Sequence, residues 1–258
     1  MAMAALLLAL FSLSAISTAA AQIQTPNITL GSSISINGNS TYWVSPLRRF
    51  AFGFYPIGNG FMVVLLSTDG RLLLSSDRSN GSLIDASGVA SYASVLDSGN
   101  FVLYNSNSNI IWQSFNFPTD TIVAGQRLIV EWTLFSHLSE TNHSTGRFRI
   151  VMHTDGNLVS YPTDTTNTSR DAYWHSDTWE GGKNVSLNLD TNGQLYLHNS
   201  TGFTIKNLTE HRTGAFVYRA TMDVDGIFRL YSHRMRIMVA YRRKKSYGNH
   251  SNWLTFVR

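Results

Sequence analysis

His153-Thr154-Asp155-Gly156-Asn157-Leu158-Val159-Ser160-Tyr161 is the stretch from which the rest of this chain is read. Its informative residues fall at every second position: His153, Asp155, Asn157, Val159 and Tyr161. Side chains on a β-strand alternate between faces, so a strand here presents all of them on one side. That side carries an imidazole, a carboxylate, a carboxamide, an isopropyl group and a phenol. Vicinal sugar hydroxyls need paired donors and acceptors, and the C–H face of a sugar ring needs a small apolar contact. The opposite face (Thr154, Gly156, Leu158, Ser160) has Leu158 as its only apolar anchor. The same residues also read as a hairpin turn at Asp155-Gly156-Asn157, because Asp-Gly and Gly-Asn are strong turn signals.

Outward from this stretch, the turn-then-strand pattern returns at Thr68–Leu74, Leu96–Tyr104, Leu189–Leu197 and Val224–Tyr231. Gly, Asn, Ser and Asp interrupt short alternating runs of β-branched and aromatic residues, and no long stretch keeps a helical period. The expected fold class is all-β: repeated small antiparallel sheets around shared cores, since one such unit cannot bury its own apolar face. Only the His153 copy keeps the full pattern. In the Asp97 copy an inserted residue puts the aspartate out of register with Asn100, Val102 and Tyr104. The Asp225 copy keeps Asp225 and Tyr231 around Ile227 and Arg229, and the Asp190 copy reads Asn188, Asp190, Asn192, Gln194, Tyr196. The Asp69 copy keeps only its turn. These four read as structural.

The His153–Tyr161 spacing resembles the Gln-x-Asp-x-Asn-x-Val-x-Tyr mannose-binding signature of the bulb-type (monocot mannose-binding) plant lectins, with His153 in place of Gln. The resemblance implies that Asp155 and Asn157 bond mannose hydroxyls, that Tyr161 adds a further bond and that Val159 packs on the ring. A second resemblance lies in Ile111-Trp112-Gln113-Ser114-Phe115-Asn116-Phe117-Pro118-Thr119-Asp120-Thr121. This run, with Leu96-Asp97-Ser98-Gly99-Asn100 before it, is similar to the ectodomains of plant G-type lectin S-receptor-like serine/threonine kinases. It implies tandem β-prism units from about Gln22 to Ser232, divided as residues 22–145 and 146–232. Trp112 and Trp174 are expected as core aromatics closing successive sheets.

The chain departs from that family in its first unit, where Phe61-Met62-Val63-Val64-Leu65-Leu66 runs directly into Ser67-Thr68-Asp69-Gly70. A sheet and its Trp are therefore expected to be shortened or missing. After Ser232 the family's cysteine-bearing segments give way to a basic tail, residues 233–258. No Gly-rich phosphate loop or His-Arg-Asp motif occurs, so the receptors' kinase activity does not carry over.

The remaining sequence bears on compartment and partners. Residues 1–21 have an apolar core and end in Ala19-Ala20-Ala21, the form of a secretory signal. No later run reaches the 18 or so residues of a membrane span, so a secreted, extracellular chain is expected. Sequons at Asn27, Asn39, Asn80, Asn142, Asn167, Asn184, Asn199, Asn207 and Asn249 fit export as a glycoprotein. The chain has no cysteine, so core burial alone must stabilise it. The net charge of +4 comes from Arg234, Arg236, Arg242, Arg243, Lys244, Lys245 and Arg258, and without them the body stands at about −3. A terminal cluster of this kind is a solvated tail and not a nucleic-acid face. Asp223-Val224-Asp225-Gly226 lacks the Glu of a calcium loop, and His137, His143, His175, His198 and His211 lack ligand spacing. Glu131 and Glu140 form a glycosidase pair only by accident of folding. No cofactor, metal or enzymatic activity is expected. The expected function is binding of mannose-containing glycans; the alternative is a sugar-silent module for a protein partner or another lectin ectodomain.

Overall fold

Repeated five-residue turns shape this protein, whose computed structural model describes residues 27–35, 42–57, 60–67, 72–75, 88–211, 214 and 216–234. The expected signal, the sequons at Asn39, Asn80 and Asn249, the Asp69 turn and the tail beyond Arg234 lie outside the described residues. In each turn the first N–H donates to the fifth carbonyl and the fourth N–H donates back to the first carbonyl. His153 and Asn157 close one such turn at 2.9 Å, Leu96 and Asn100 another at 2.8 Å, and Asp190 and Gln194 a third at 3.0 Å. The fourth position is left-handed, with φ of +93° at Gly156, +88° at Gly99 and +76° at Gly193. Glycine adopts that conformation without steric penalty, which is why the repeat shows in the sequence.

The strands between these turns fall into two groups. The first comprises β1 (Ile28–Thr29), β2 (Tyr42–Val44), β3 (Phe50–Ile57), β4 (Gly60–Ser67), β5 (Leu72–Ser75), β6 (Tyr92–Val95), β7 (Phe101–Tyr104) and β8 (Ile110–Gln113). The second opens with β9 (Thr121–Val123), β10 (Arg127–Leu128), β11 (Thr133–His137), β12 (Thr145–Met152), β13 (Leu158–Pro162) and β14 (Trp174–His175). It continues with β15 (Ser186–Leu189), β16 (Leu195–His198), β17 (Thr204–Asn207), β18 (Phe216–Met222) and β19 (Phe228–Arg234). The first group makes the sheets β1-β6-β7-β8 and β2-β3-β4-β5; the second makes β10-β15-β16-β17, β11-β12-β13-β14 and β19-β18-β9. Every pairing among the described residues is antiparallel; short connections require this of the sequential hairpins, whereas β1–β6, β9–β18 and β10–β15 pair over long stretches of chain.

The second group is a three-sided prism. Ile122, Leu134, Ile150, Leu158, Leu187 and Ala220, drawn from all three of its sheets, meet in one core at 0% exposure. Strict alternation sorts the faces: Ile150, Met152 and Leu158 point in, while Arg149, Val151, Val159 and Tyr161 take the outer side of β12 and β13. The first group packs Phe50, Val95 and Phe101 with Trp43, Phe52 and Trp112, and Val123 and Val217 join them from β9 and β18. The sheet β19-β18-β9 therefore serves both cores, Ile122 and Ala220 facing one and Val123 and Val217 the other. Among the described residues it supplies the third side that the first group lacks.

Two expectations need correcting. The β11–β12 hairpin pairs Thr133–His137 with Thr145–Val151 and so runs through residue 145, where a division between units was expected. A hairpin belongs to one sheet, and the change of core comes earlier, at β9. Trp174 is 41% exposed and is not a core residue; it lies on a two-residue edge strand, and Trp132 packs the second core instead. Trp112, at the equivalent place in the first group, does pack inward, edge-on to Phe101 and stacked on Phe117 at 5.4 Å.

Tyr218 offers a test of this core. It is 1% exposed, and its hydroxyl is buried with no hydrogen-bond partner among the described residues. An unmet buried hydroxyl costs about 1–3 kcal/mol. Tyr218→Phe is expected to raise the thermal midpoint by a few degrees; a lower midpoint would show that the hydroxyl is satisfied.

Candidate functional site

The His153–Tyr161 stretch closes the β12–β13 hairpin. Met152 and Leu158 form the last pair of the ladder, and residues 153–157 are the turn beyond it. The expected continuous strand from His153 is therefore corrected: His153 and Asp155 stand in the turn, Asn157 ends it, and only Val159 and Tyr161 are on β13. The turn reading and the shared-face reading each hold for part of the stretch.

Across the outer face, Tyr161 pairs with Arg149, and Val159 pairs with Val151 on one side and His175 on the other. Val151, Val159 and Tyr161, at 5%, 5% and 2% exposure, form a small apolar cluster with Ala172. This cluster is the floor of the site, and the polar atoms rise from the turn beside it. Asp155 is exposed, and its Oδ1 accepts the Asn157 N–H at 2.9 Å in an Asx turn, which leaves Oδ2 to solvent.

Asn157 is oriented by its neighbours. Its Oδ1 accepts from Ser176 Oγ at 3.0 Å and from the Thr178 N–H at 3.2 Å. A backbone N–H can only donate, so the amide oxygen must face Thr178 and Nδ2 must point the other way. Nδ2 has no hydrogen bond among the described residues. Asn100 repeats the arrangement, accepting from Ser114 Oγ at 3.1 Å and the Phe115 N–H at 3.2 Å, but its Nδ2 donates to Gln113 Oε1 at 2.8 Å. His175 occupies the place of Gln113, since each pairs with the corresponding valine, and it turns instead to Asp177 at 2.9 Å. The exchange of Gln113 for His175 thus frees the Asn157 amide. Sequence reasoning missed His175, although Trp112-Gln113-Ser114 and Trp174-His175-Ser176 are legible as a repeat.

His153 and Tyr161 engage each other. Nε2 of His153 lies 3.0 Å from the Tyr161 hydroxyl, and Arg149 sits 5.1 Å over the Tyr161 ring. Burial lowers the His153 pKa below its ordinary 6.5, with the Asp155 charge opposing and Arg149 assisting. Burial raises the Tyr161 phenol. Neutral His153 is the form the fold favours. Its contribution is complete above 6.5 and is lost as the pH falls through the lowered value. The titration therefore lies below the 6.5 of an ordinary histidine. His153→Gln is expected to strengthen sugar binding and to remove the acid-side fall, measured by titrating parent and variant from about pH 7 down to about 4. Superimposable pH profiles would mean that His153 does not face the sugar.

The other copies are occupied or out of register. In the Asp190 copy the turn bonds align Asp190 with His153 and Asn192 with Asp155, two residues away from the alignment expected from sequence. Ser98 stands at the Asp155 place in the Asp97 copy. In the Asp225 copy Arg229 clamps both carboxylate oxygens at 2.7 and 2.8 Å and holds the Asp225 pKa at about 2. Among the described residues no cluster of histidines and carboxylates could hold a metal, and no helix is long and apolar enough to cross a membrane.

The sequence model of the D-mannose binding lectin family matches residues 54–144; the His153–Tyr161 stretch lies C-terminal to that match. The chain is 32% identical to a G-type lectin S-receptor-like serine/threonine-protein kinase of Oryza sativa subsp. indica, over 85% of this chain and 32% of that protein. A counterpart from Arabidopsis thaliana is 26% identical, over 72% of this chain and 28% of its own length. The chain thus spans about a third of these relatives. Among solved structures, the mannose-specific agglutinin of snowdrop (Galanthus nivalis) complexed with methyl-α-D-mannoside is 20% identical, with a TM-score of 0.37, covering 47% of this chain and 97% of that one. Tarin lectin bound to trimannose is 22% identical, with a TM-score of 0.37, covering 47% and 96%.

Proposed function

We propose, from the premise that this chain carries a D-mannose binding lectin domain, that it is an extracellular receptor-type lectin module that binds mannose-containing glycans at the His153–Tyr161 hairpin. It acts by binding and not by catalysis. One observation carries the reading: the Asn157 amide is locked with its donor outward beside the open Asp155 carboxylate. A sugar hydroxyl placed between them donates to Asp155 Oδ2 and accepts from Asn157 Nδ2, and the Val159–Tyr161 cluster lies beneath the ring. The burial of Val159 and Tyr161, and the Tyr161–His153 bond, favour the second reading, a sugar-silent module for a protein partner. We take the change between the two units to lie near β9. Export through a signal at residues 1–21 fits the exposed sequons Asn27, Asn142, Asn167, Asn184 and Asn207.

Retention on mannan resin with release by free mannose separates the two readings. The purified protein is expected to bind and to elute with mannose. Passage through the column unretained at all pH values would sink the lectin reading and leave the protein-partner one.

A further inference from the structure

We propose that Asn167 carries an N-linked glycan whose mannose residues compete for the Asp155–Asn157 site of the same chain and weaken its hold on outside ligands. This rests on the mannose reading above. Asn167-Thr168-Ser169 is a sequon on the segment that joins β13 to β14, and Asn167 is exposed. The segment is pinned: Thr165 Oγ1 donates to the Pro162 carbonyl at 2.8 Å, and the Thr166 and Thr168 hydroxyls both donate to Asp171 Oδ2 at 2.7 Å. Arg149 ties it to the sugar face by donating Nη1 to Asn167 Oδ1 and Nη2 to the Thr165 carbonyl. The same guanidinium lies 5.1 Å over the Tyr161 ring. One side chain therefore separates Asn167 from the floor of the site.

The amide chemistry is compatible with modification. The bond from Arg149 uses Oδ1, and an N-glycosylated asparagine keeps its carbonyl. Nδ2, the atom that carries the glycan, has no partner among the described residues. In the transfer, Nδ2 loses a proton and bonds the anomeric carbon of a lipid-pyrophosphate oligosaccharide, and the lipid pyrophosphate leaves with the electron pair of the broken C–O bond. This donor is available wherever a secreted chain is made. Two N-acetylglucosamines precede the mannoses, a tether that passes over Arg149 towards Asp155. The other described sequons are placed differently: Asn27 precedes β1, Asn142 lies at the opposite end of the β11–β12 hairpin, Asn199 follows β16 and Asn207 ends β17. Asn184 precedes Val185, which backs Gly156 from the core side and not from the outer face that Arg149 and Tyr161 share. A ligand tethered this closely acts at an effective concentration of about millimolar, enough to compete with glycans in solution.

Ser169→Ala removes the sequon while leaving Asn167, its bond to Arg149 and the Asp171 network untouched. Glycopeptide mass spectrometry reads occupancy at Asn167, and titration with free mannose reads affinity. The parent is expected to be modified at Asn167, and Ser169→Ala to bind mannose about threefold tighter or more, the gain from removing a competitor at such a concentration. Thr201→Ala, which removes the distant Asn199 sequon, is expected to leave affinity unchanged. An unmodified Asn167, or equal affinities in parent and Ser169→Ala, overturns the proposal while the mannose site stands. Failure of every form to bind mannose overturns the mannose reading, and the proposal with it.

Discussion

Asn157→Asp is expected to abolish retention on mannan while the protein stays folded. The new carboxylate still offers an oxygen to Ser176 Oγ and the Thr178 N–H, so the clamp that holds β14 to the turn persists. The outward donor is lost, and a second negative charge arrives beside Asp155. A lost neutral hydrogen bond costs about 0.5–1.5 kcal/mol and a sugar hydroxyl left unsatisfied about 1–3 kcal/mol, so binding should weaken roughly tenfold or more. Asn157→Ala should also lose sugar, but with a fall in stability of about 1–3 kcal/mol from the stranded donors. Asn100→Asp, where the donor is already spent on Gln113, should leave mannan binding alone. Mannan chromatography alongside thermal melts of the three variants decides the matter. If Asn157→Asp binds like the parent, the site is elsewhere.

Gly193→Ala is expected to be among the most destabilising single-methyl additions in the chain. Gly193 has φ of +76°, and a Cβ there would come within 2.4–2.7 Å of three atoms of the Tyr218 ring. Tyr218 is 1% exposed in the prism core and has nowhere to withdraw. The left-handed conformation costs about 1–2 kcal/mol and overpacking about 1–3 kcal/mol; together they account for a loss of roughly 2–5. Gly202 holds the same place in another turn of this kind, with φ of +91° and nothing within 4 Å. Gly202→Ala should therefore lose only the backbone share, about 1–2 kcal/mol. Denaturant melts of the pair measure the difference directly. Equal losses would mean that the Tyr218 contact is irrelevant and conformation alone decides.

The all-β class and the repeat were legible because turn chemistry is local. A glycine four residues into each loop and alternating apolar residues after it are visible without knowing what packs against them. The register of a turn is less visible, because it depends on which N–H meets which carbonyl. That is why the Asp190 copy came out two residues off. The site was legible in its residue types but not in its accounting of partners. Whether Asn157 has a free donor depends on His175, eighteen residues away in sequence and directly across the sheet from Val159. The exposure of Trp174 and the sharing of one sheet by two cores are likewise tertiary facts that no window of sequence contains.

The shared sheet also sets a timetable. Thr121 and Thr221 touch through their hydroxyls at 2.8 Å across 100 residues of chain, whereas the hairpins on either side close over short loops. Local closures are fast and this one must wait. At a synthesis rate of about 5–20 residues per second, β9 emerges roughly 5–20 s before β18 exists to pair with it. For that interval Ile122 and Val123 sit on an unpaired edge, the arrangement most prone to joining the wrong strand. The last strand pair is thus the step at which a nascent chain most needs a chaperone.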